Sequence, residues 1–281
     1  MSAPAPAHPP RRISPSAIGD DLRRFLTLTY TLAKTDFKLT FFGSVLGYLW
    51  TLMRPLLFFG LLYLVFTTVF DIGDDVKNYP LYLLMSIVLW TYFAEATASS
   101  VRALTDQESL LRKVRFPRMA IPLSVALTKL FNLGLNLVAV LLFLLISGIT
   151  PRLGWLWTIP LILLLVVLVT GIAMFLSALF PRYRDLGPIW DITTQALFYG
   201  SPILYVVSKF PDNLERIAMC NPLSMVFTQM RYAVLDPDAP SAATAIGGYP
   251  RLLIPLGIVA VVFAVGLWVF NRETPRIAES L

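Results

Sequence analysis

The sequence predicts an all-α integral membrane protein with six transmembrane helices, and three observations carry that expectation. Apolar residues make up 57% of the 281 and charged residues 14%, against about 45–50% and about 25% in soluble domains. Six apolar runs, near 45–70, 80–101, 121–147, 156–179, 188–207 and 251–270, approach the roughly 20 residues a helix needs to cross a bilayer. Ahead of the first run, Ser16 to Phe37 mixes apolar and charged residues at helical period. The chain has room for six such helices and their loops, with none for a second large soluble domain.

The first fifteen residues, rich in Pro and Ala, predict a disordered tail. Residues 16–40 predict an amphipathic interface helix. At about 100° per residue, Ile18, Leu22, Phe25, Leu26, Leu32, Ala33 and Phe37 share one arc, and Asp20, Arg23, Arg24, Thr27, Thr31, Lys34 and Lys38 the other. Such a helix lies in the headgroup plane. Residues 41–281 then form the six-span domain. The polar stretch before the first span argues against a cleavable signal peptide. Six spans bring both termini to one side, and the cations say which. Lys and Arg number fifteen on the terminal side (six up to Lys38, five from Arg102 to Arg118, Arg182, Arg184 and two at the C-terminus) against six opposite, at Lys77, Arg152, Lys209, Arg216, Arg231 and Arg251. The positive-inside rule predicts cytoplasmic termini. The net charge of +6 is therefore a topology signal, and nucleic acid is not an expected partner. With one cysteine, Cys220, and one histidine, His8, neither a disulfide nor a His- or Cys-based metal centre is expected.

Between the second and third runs, Thr105 followed by Glu108 reads as a capping box. It opens a short cytoplasmic helix through Leu110, Leu111 and Val114 that Phe116-Pro117 stops. Its basic end, Arg112, Lys113, Arg115 and Arg118, reads either as a solvated topology signal or as part of a docking element whose Leu110, Leu111 and Phe116 need a cover. Beyond the fifth run, Leu214–Cys220 and Leu223–Leu235, split by Asn221-Pro222, are each too short to span. They predict an outer re-entrant or interfacial hairpin, suited to an external gate, or an ordinary folded loop.

Four charges sit inside the apolar runs at similar depth from the inner boundary: Arg54, Glu95, Lys129 and Asp191. Intramembrane charges pair or line a polar path, and Arg54–Glu95 with Lys129–Asp191 is the pairing expected if they fix the bundle. Phe59, Tyr63, Phe66 and Phe70 recur on one face of the first span, and Phe198 and Tyr205 on one face of the fifth. Either set serves packing or lines a pore where sugar rings stack.

Several motifs together carry a resemblance. Gly43-Ser-Val-Leu-Gly-Tyr-Leu-Trp50 with Arg54-Pro55, Arg182-Tyr-Arg-Asp185 with Ser201-Pro202 and Tyr205, and Asn221-Pro222 ahead of Arg231-Tyr232 resemble the permease subunit of ABC-2 type polysaccharide exporters. The likeness runs from about Phe25 to near the end. It implies a homodimer of permeases in the bacterial cytoplasmic membrane with two copies of a separate ATPase, which alone binds ATP and Mg, so this chain needs no cofactor of its own. It implies export of a polyprenyl-diphosphate-linked glycan of the O-antigen, teichoic acid or galactan type. It further implies a coupling helix over Thr105, Asp106, Glu108, Leu110, Leu111, Arg112, Lys113 and Arg115 that meets the ATPase. Under this resemblance Arg54 or Lys129 would meet the diphosphate headgroup.

The residues agree that energy comes from elsewhere, since the chain contains no G-x-x-x-x-G-K-[ST] phosphate loop. A secondary transporter or glycolipid flippase would be expected to hold its charges near mid-membrane on broken helices. A membrane-embedded glycosyltransferase or acyltransferase needs a general base and metal-binding carboxylates, for which the candidate acidic pairs are Asp74-Asp75, Asp106/Glu108 and Asp236/Asp238. The acidic pairs lack a histidine outside the tail, and the charges cluster toward one face, so both rivals rank below the exporter.

Overall fold

A computed structural model of the chain describes residues 22–41, 47–68, 76–107 and 117–280. The expected tail, the start of the first-span motif at Gly43, Phe70, the acidic loop Asp71-Asp74-Asp75, and Glu108, Leu110, Leu111, Arg112, Lys113, Arg115 and Phe116 lie outside the described residues. Helix is the only regular structure among them. The elements are α1 (Leu22–Phe41), α2 (Gly47–Thr68), α3 (Tyr79–Val101), the single turn α4 (Ala103–Asp106), α5 (Ala120–Ile146), α6 (Thr158–Leu179), α7 (Leu186–Gly200), α8 (Asp212–Met219), α9 (Pro222–Met230), α10 (Ala242–Ile246) and α11 (Leu253–Ser280).

Helix α1 contains neither Gly nor Pro, and its threonines return hydroxyl hydrogen bonds to the preceding turn, Thr27 to Arg23 O and Thr31 to Thr27 O. The expected polar arc is exposed from Arg23 to Lys38, with Asp20 outside the described residues. The buried stripe is narrower than the apolar arc, running through Phe25, Thr29 and Ala33, while Leu22 and Leu26 stay exposed. This stripe lies on α5: Thr128 Oγ1 donates to Ala33 O at 3.2 Å, and the Phe131 ring takes Tyr30 and Phe37 edge-on at 6.2 and 5.6 Å. Phe25 closes a small apolar cluster with Met119, Ile121, Met174 and Phe270, so α1 caps the ends of α5, α6 and α11.

Among the described residues, five helices are long and apolar enough to cross a membrane: Leu49–Thr68, Tyr79–Val101, Ala120–Ile146, Leu153–Leu179 and Tyr249–Glu273. Helix α3 is the most buried of them and α2 the least. The backbones of α6 and α11 pack directly, because a Cβ on Gly171 would stand 2.7 Å from Phe263 Cα and one on Gly266 would meet the Gly171 carbonyl oxygen. Without a hydrophobic force between helices in lipid, small residues let dispersion contacts hold them.

The fifth expected span is not one helix. Helix α7 stops at Gly200 after 15 residues, roughly 22 Å of rise. Ser201 is extended at φ −110°, ψ 149°, which the following Pro202 enforces by clashing with a helical predecessor. The irregular stretch from Ser201 to Val207 is nonetheless buried. Its carbonyls are met by α3: the Tyr82 hydroxyl donates to Pro202 O and, at 3.1 Å, to Tyr205 O, and the Tyr79 hydroxyl to Leu204 O at 2.8 Å. Asn221 Nδ2 completes the set by donating to Ser201 Oγ at 3.0 Å.

The outer pieces appear as α8 and α9, divided at Asn221-Pro222, with Asn221 capping α9 through Leu223 N at 3.0 Å. Helix α9 is almost wholly buried and runs into a π turn, Arg231–Leu235. Carbonyls freed there are taken by the segment before α6: Arg152 donates to Tyr232 O at 3.1 Å and Ala233 O at 3.2 Å, and Trp155 Nε1 to Val234 O at 3.2 Å.

Two outcomes follow from this packing. Gly171→Val has no room against backbone atoms and forces α6 and α11 apart, a loss of about 1–3 kcal/mol; a detergent melting temperature equal to that of the unchanged protein would contradict the close approach. Asp36, on α1, has its carboxyl pushed up from the ordinary value by burial. A raised native pKa gives stability that is present at low pH and lost as pH rises through it. Asp36→Asn should therefore melt higher than the unchanged protein near neutral pH, with the two curves converging below about pH 4.

Candidate functional site

Three of the four intramembrane charges meet. Glu95 on α3 stands between Lys129 on α5, whose Nζ donates to Oε2 at 3.1 Å, and Arg54 on α2, whose Nη1 lies 3.6 Å from Oε1. The expected Arg54–Glu95 pair is present, but Lys129 pairs with Glu95 and not with Asp191, so one carboxylate serves both cations. Asp191 is exposed on α7 and makes no ion pair among the described residues. Glu95 reaches both because α2 and α5 both pack against α3 and against each other.

The cluster lines a cleft of about 440 Å³ between α2, α3 and α5. Its other walls mix Thr51, Thr91, Tyr92, Asn132 and Asn136 with the apolar Trp50, Val88 and Leu133. The Tyr92 hydroxyl and the Asn132 carboxamide oxygen are buried without a hydrogen-bond partner among the described residues. Arg54 holds its guanidinium out into the cleft, with a side chain 68% exposed, against 25% for Lys129 and 30% for Glu95. The Lys129–Glu95 hydrogen bond is a neutral unit, and Arg54 adds one positive charge beside it. A phosphate oxygen would find a forked donor there.

The polar wall was readable from spacing. Lys129, Asn132 and Asn136 fall at i, i+3 and i+7 within an otherwise apolar run, which puts them on one helix face.

The other expected site residues separate. Thr105 lies inside the α4 turn, third of four residues, so it is no N-cap, and its hydroxyl lacks a hydrogen-bond partner among the described residues. The chain turns helical at Ala103, straight after α3, before the expected cap is reached. Asp106 is exposed and shares a small cleft with Asp36, Ser99 and Ser124. Phe59 stacks on Tyr63 at 5.7 Å, and Phe59 and Phe66 pack on the main core. Phe198 is buried against Phe58 and Trp90. Tyr205 does not share its helix face, because it follows the break at Ser201 and turns back to donate to Tyr199 O at 3.0 Å.

Residues 27–235 match the family described as ABC-2 type transporter. The chain belongs to that family. The O-antigen export system permease protein RfbA of Klebsiella pneumoniae is 31% identical to it over 255 residues, 90% of this chain and 95% of the relative. The permease of the same name from Myxococcus xanthus is 28% identical over 271 residues, 93% and 98% of the two chains. In this ABC-2 type transporter the matched region takes in most of α1, the charged cleft, the broken seventh helix and the π turn. Helices α10 and α11 follow it.

Double-mutant cycles measure how the single carboxylate is shared. The Glu95–Lys129 coupling should exceed the Glu95–Arg54 coupling, both on the order of 0.5–2 kcal/mol or less. Equal couplings would contradict the arrangement.

Proposed function

We propose that this chain is the permease subunit of an exporter that carries a polyprenyl-diphosphate-linked polysaccharide of the O-antigen type outward across the bacterial cytoplasmic membrane. The names of its relatives favour O-antigen over the teichoic acid and galactan alternatives. Two copies form the membrane path, and two copies of a separate ATPase supply the energy at the cytoplasmic face, which holds both termini. The segment from Thr105 to Arg115 receives the push, together with α1, which shares a cleft with Asp106.

The observation that carries this reading is the surplus cation at Arg54. Isolated charge at membrane depth is costly, yet Glu95 is already satisfied by Lys129 at 3.1 Å, and Arg54 reaches it only at 3.6 Å with most of its side chain exposed. A diphosphate arriving from the inner leaflet meets Arg54 first, while Lys129 and Glu95 hold each other in place. The buried Tyr92 hydroxyl and Asn132 carboxamide oxygen then face whatever is attached to the phosphate. A hydroxyl-rich sugar supplies donors for that oxygen, which a phosphate oxygen cannot.

The test is reconstitution of the chain with its ATPase in vesicles and measurement of hydrolysis against added polyprenyl-diphosphate glycans. Arg54→Gln should leave assembly and basal hydrolysis unchanged and raise the half-stimulating concentration about tenfold, the equivalent of one charge-assisted contact. Unchanged stimulation in this variant removes Arg54 from the substrate path. No stimulation of the unchanged complex by any such lipid overturns the substrate class.

A further inference from the structure

At the end of the bundle opposite the Arg54 cleft, two guanidinium groups from different elements close on one point. Helix α10 ends in Gly247, which is left-handed at φ 89°, ψ 33°, and a short turn, Tyr249–Leu252, leads into α11. Arg251 folds back from that turn, with Nη1 donating to Ile246 O at 3.4 Å. Its tip is 2.6 Å from the place where a Cβ on Gly247 would stand, and Nε of Arg216, on α8, is 3.3 Å from the same place. Only a glycine leaves this spot open, and both arginines are exposed.

The pair is only partly neutralised. Arg251 makes no ion pair among the described residues. Arg216 has Asp212 and Glu215 on its own helix; burial, and then Asp212, push the Glu215 carboxyl up from its ordinary value, while Arg216 draws it down. Two like charges held this close favour an anion between them, and the paired forks suit a phosphate.

The surroundings say which phosphate. Leu214, Ile217, Tyr249 and Leu253 are exposed around the two arginines, an apolar rim that water disfavours. Arg251 lies in the first turn of the apolar segment Tyr249–Glu273, the level at which lipid phosphates sit. Beside the same turn a cleft of about 370 Å³ is lined mostly by apolar residues, Trp157, Leu161, Leu164, Leu252 and Leu256 among them, with Gln229 and Ser241 at its polar part, a chemistry that suits an acyl chain.

We infer that this is a binding site for an anionic phospholipid, with Arg216 and Arg251 on the headgroup phosphate and an acyl chain in the neighbouring cleft. A zwitterionic lipid carries its own cation beside the phosphate and gains less. The site is separate from the Arg54 cleft and stands or falls without it.

The full chain in a neutral detergent is melted with phosphatidylglycerol, with phosphatidylcholine or with inorganic phosphate, and native mass spectrometry counts the lipids retained. Phosphatidylglycerol should raise the melting temperature by about 3 °C and be retained in preference to phosphatidylcholine, and inorganic phosphate should do neither. In R216Q/R251Q that rise should fall by at least half. Equal effects of the two lipids, an undiminished rise in the double variant, or the same rise with inorganic phosphate alone would overturn the site. Retention by the unchanged protein decides between the lipids even where the variant folds poorly.

Discussion

Backbone carbonyls that water cannot reach govern the end of this protein that carries α8 and α9. A chain that crosses hydrocarbon must satisfy every N–H and C=O internally, yet here two stretches leave the helix inside the bundle, Ser201–Val207 and the π turn Arg231–Leu235. Both survive because long side chains from neighbouring helices reach into them. Tyr79 and Tyr82 serve the first, and Arg152 and Trp155 the second. The fixing is also mutual. The guanidinium of Arg231 sits 5.8 Å from the centre of the Tyr82 ring, and Asp236 draws Lys77 to 3.5 Å and Arg231 to 4.0 Å. Start of α3, broken end of α7 and outer hairpin are thereby one polar assembly.

The end that carries Glu95 obeys a related economy with charges in place of carbonyls. An unpaired Lys129 or Glu95 at that depth would lose its hydration without return. One carboxylate between two cations offsets most of this and leaves a single charge, on the residue best placed to keep it wet. Helix α3 joins the two ends: it carries Tyr79 and Tyr82 at one end, Glu95 toward the other, and just beyond Glu95 Thr97, which accepts from Trp190 of α7 at 3.1 Å. It is the most buried span for that reason.

Apolar period and length made the helices legible in the sequence, and the α8–α9 division followed from Asn221-Pro222. The polar arc of α1 was equally plain. What periodicity could not supply was partner choice. Depth and charge anticipated Arg54 with Glu95, but Lys129 and Asp191 shared only a depth, and it is the packing of α5 on α3 that gives Lys129 to Glu95 as well. The break in α7 was written in Ser201-Pro202, but reading it required the tyrosines, 120 residues earlier in the chain, that make irregular backbone tolerable there. Thr105 misled because a capping motif is local, whereas the turn that absorbs it continues α3.

The exposed surface limits what can move. Helix α2 is covered by little of the chain itself, and α7 presents Asp191 and Gln195 together with Ile192 and Tyr199 on its exposed side. Lipid suits the last two and not the first two, and it does not suit Arg54 on α2. A second copy and a polar path between copies would meet both needs, which is why the proposed dimer requires α2 and α7 to face it. Helix α3, buried and tied at both ends, is then the fixed post. Displacement of α1 and the α4 turn at the inner end would reach the path through α2, whose only charge bond to that post is the 3.6 Å contact of Arg54 with Glu95. A contact that long yields more readily than the 3.1 Å hydrogen bond behind it, so the cluster opens on the side where a headgroup would enter and stays closed on the other.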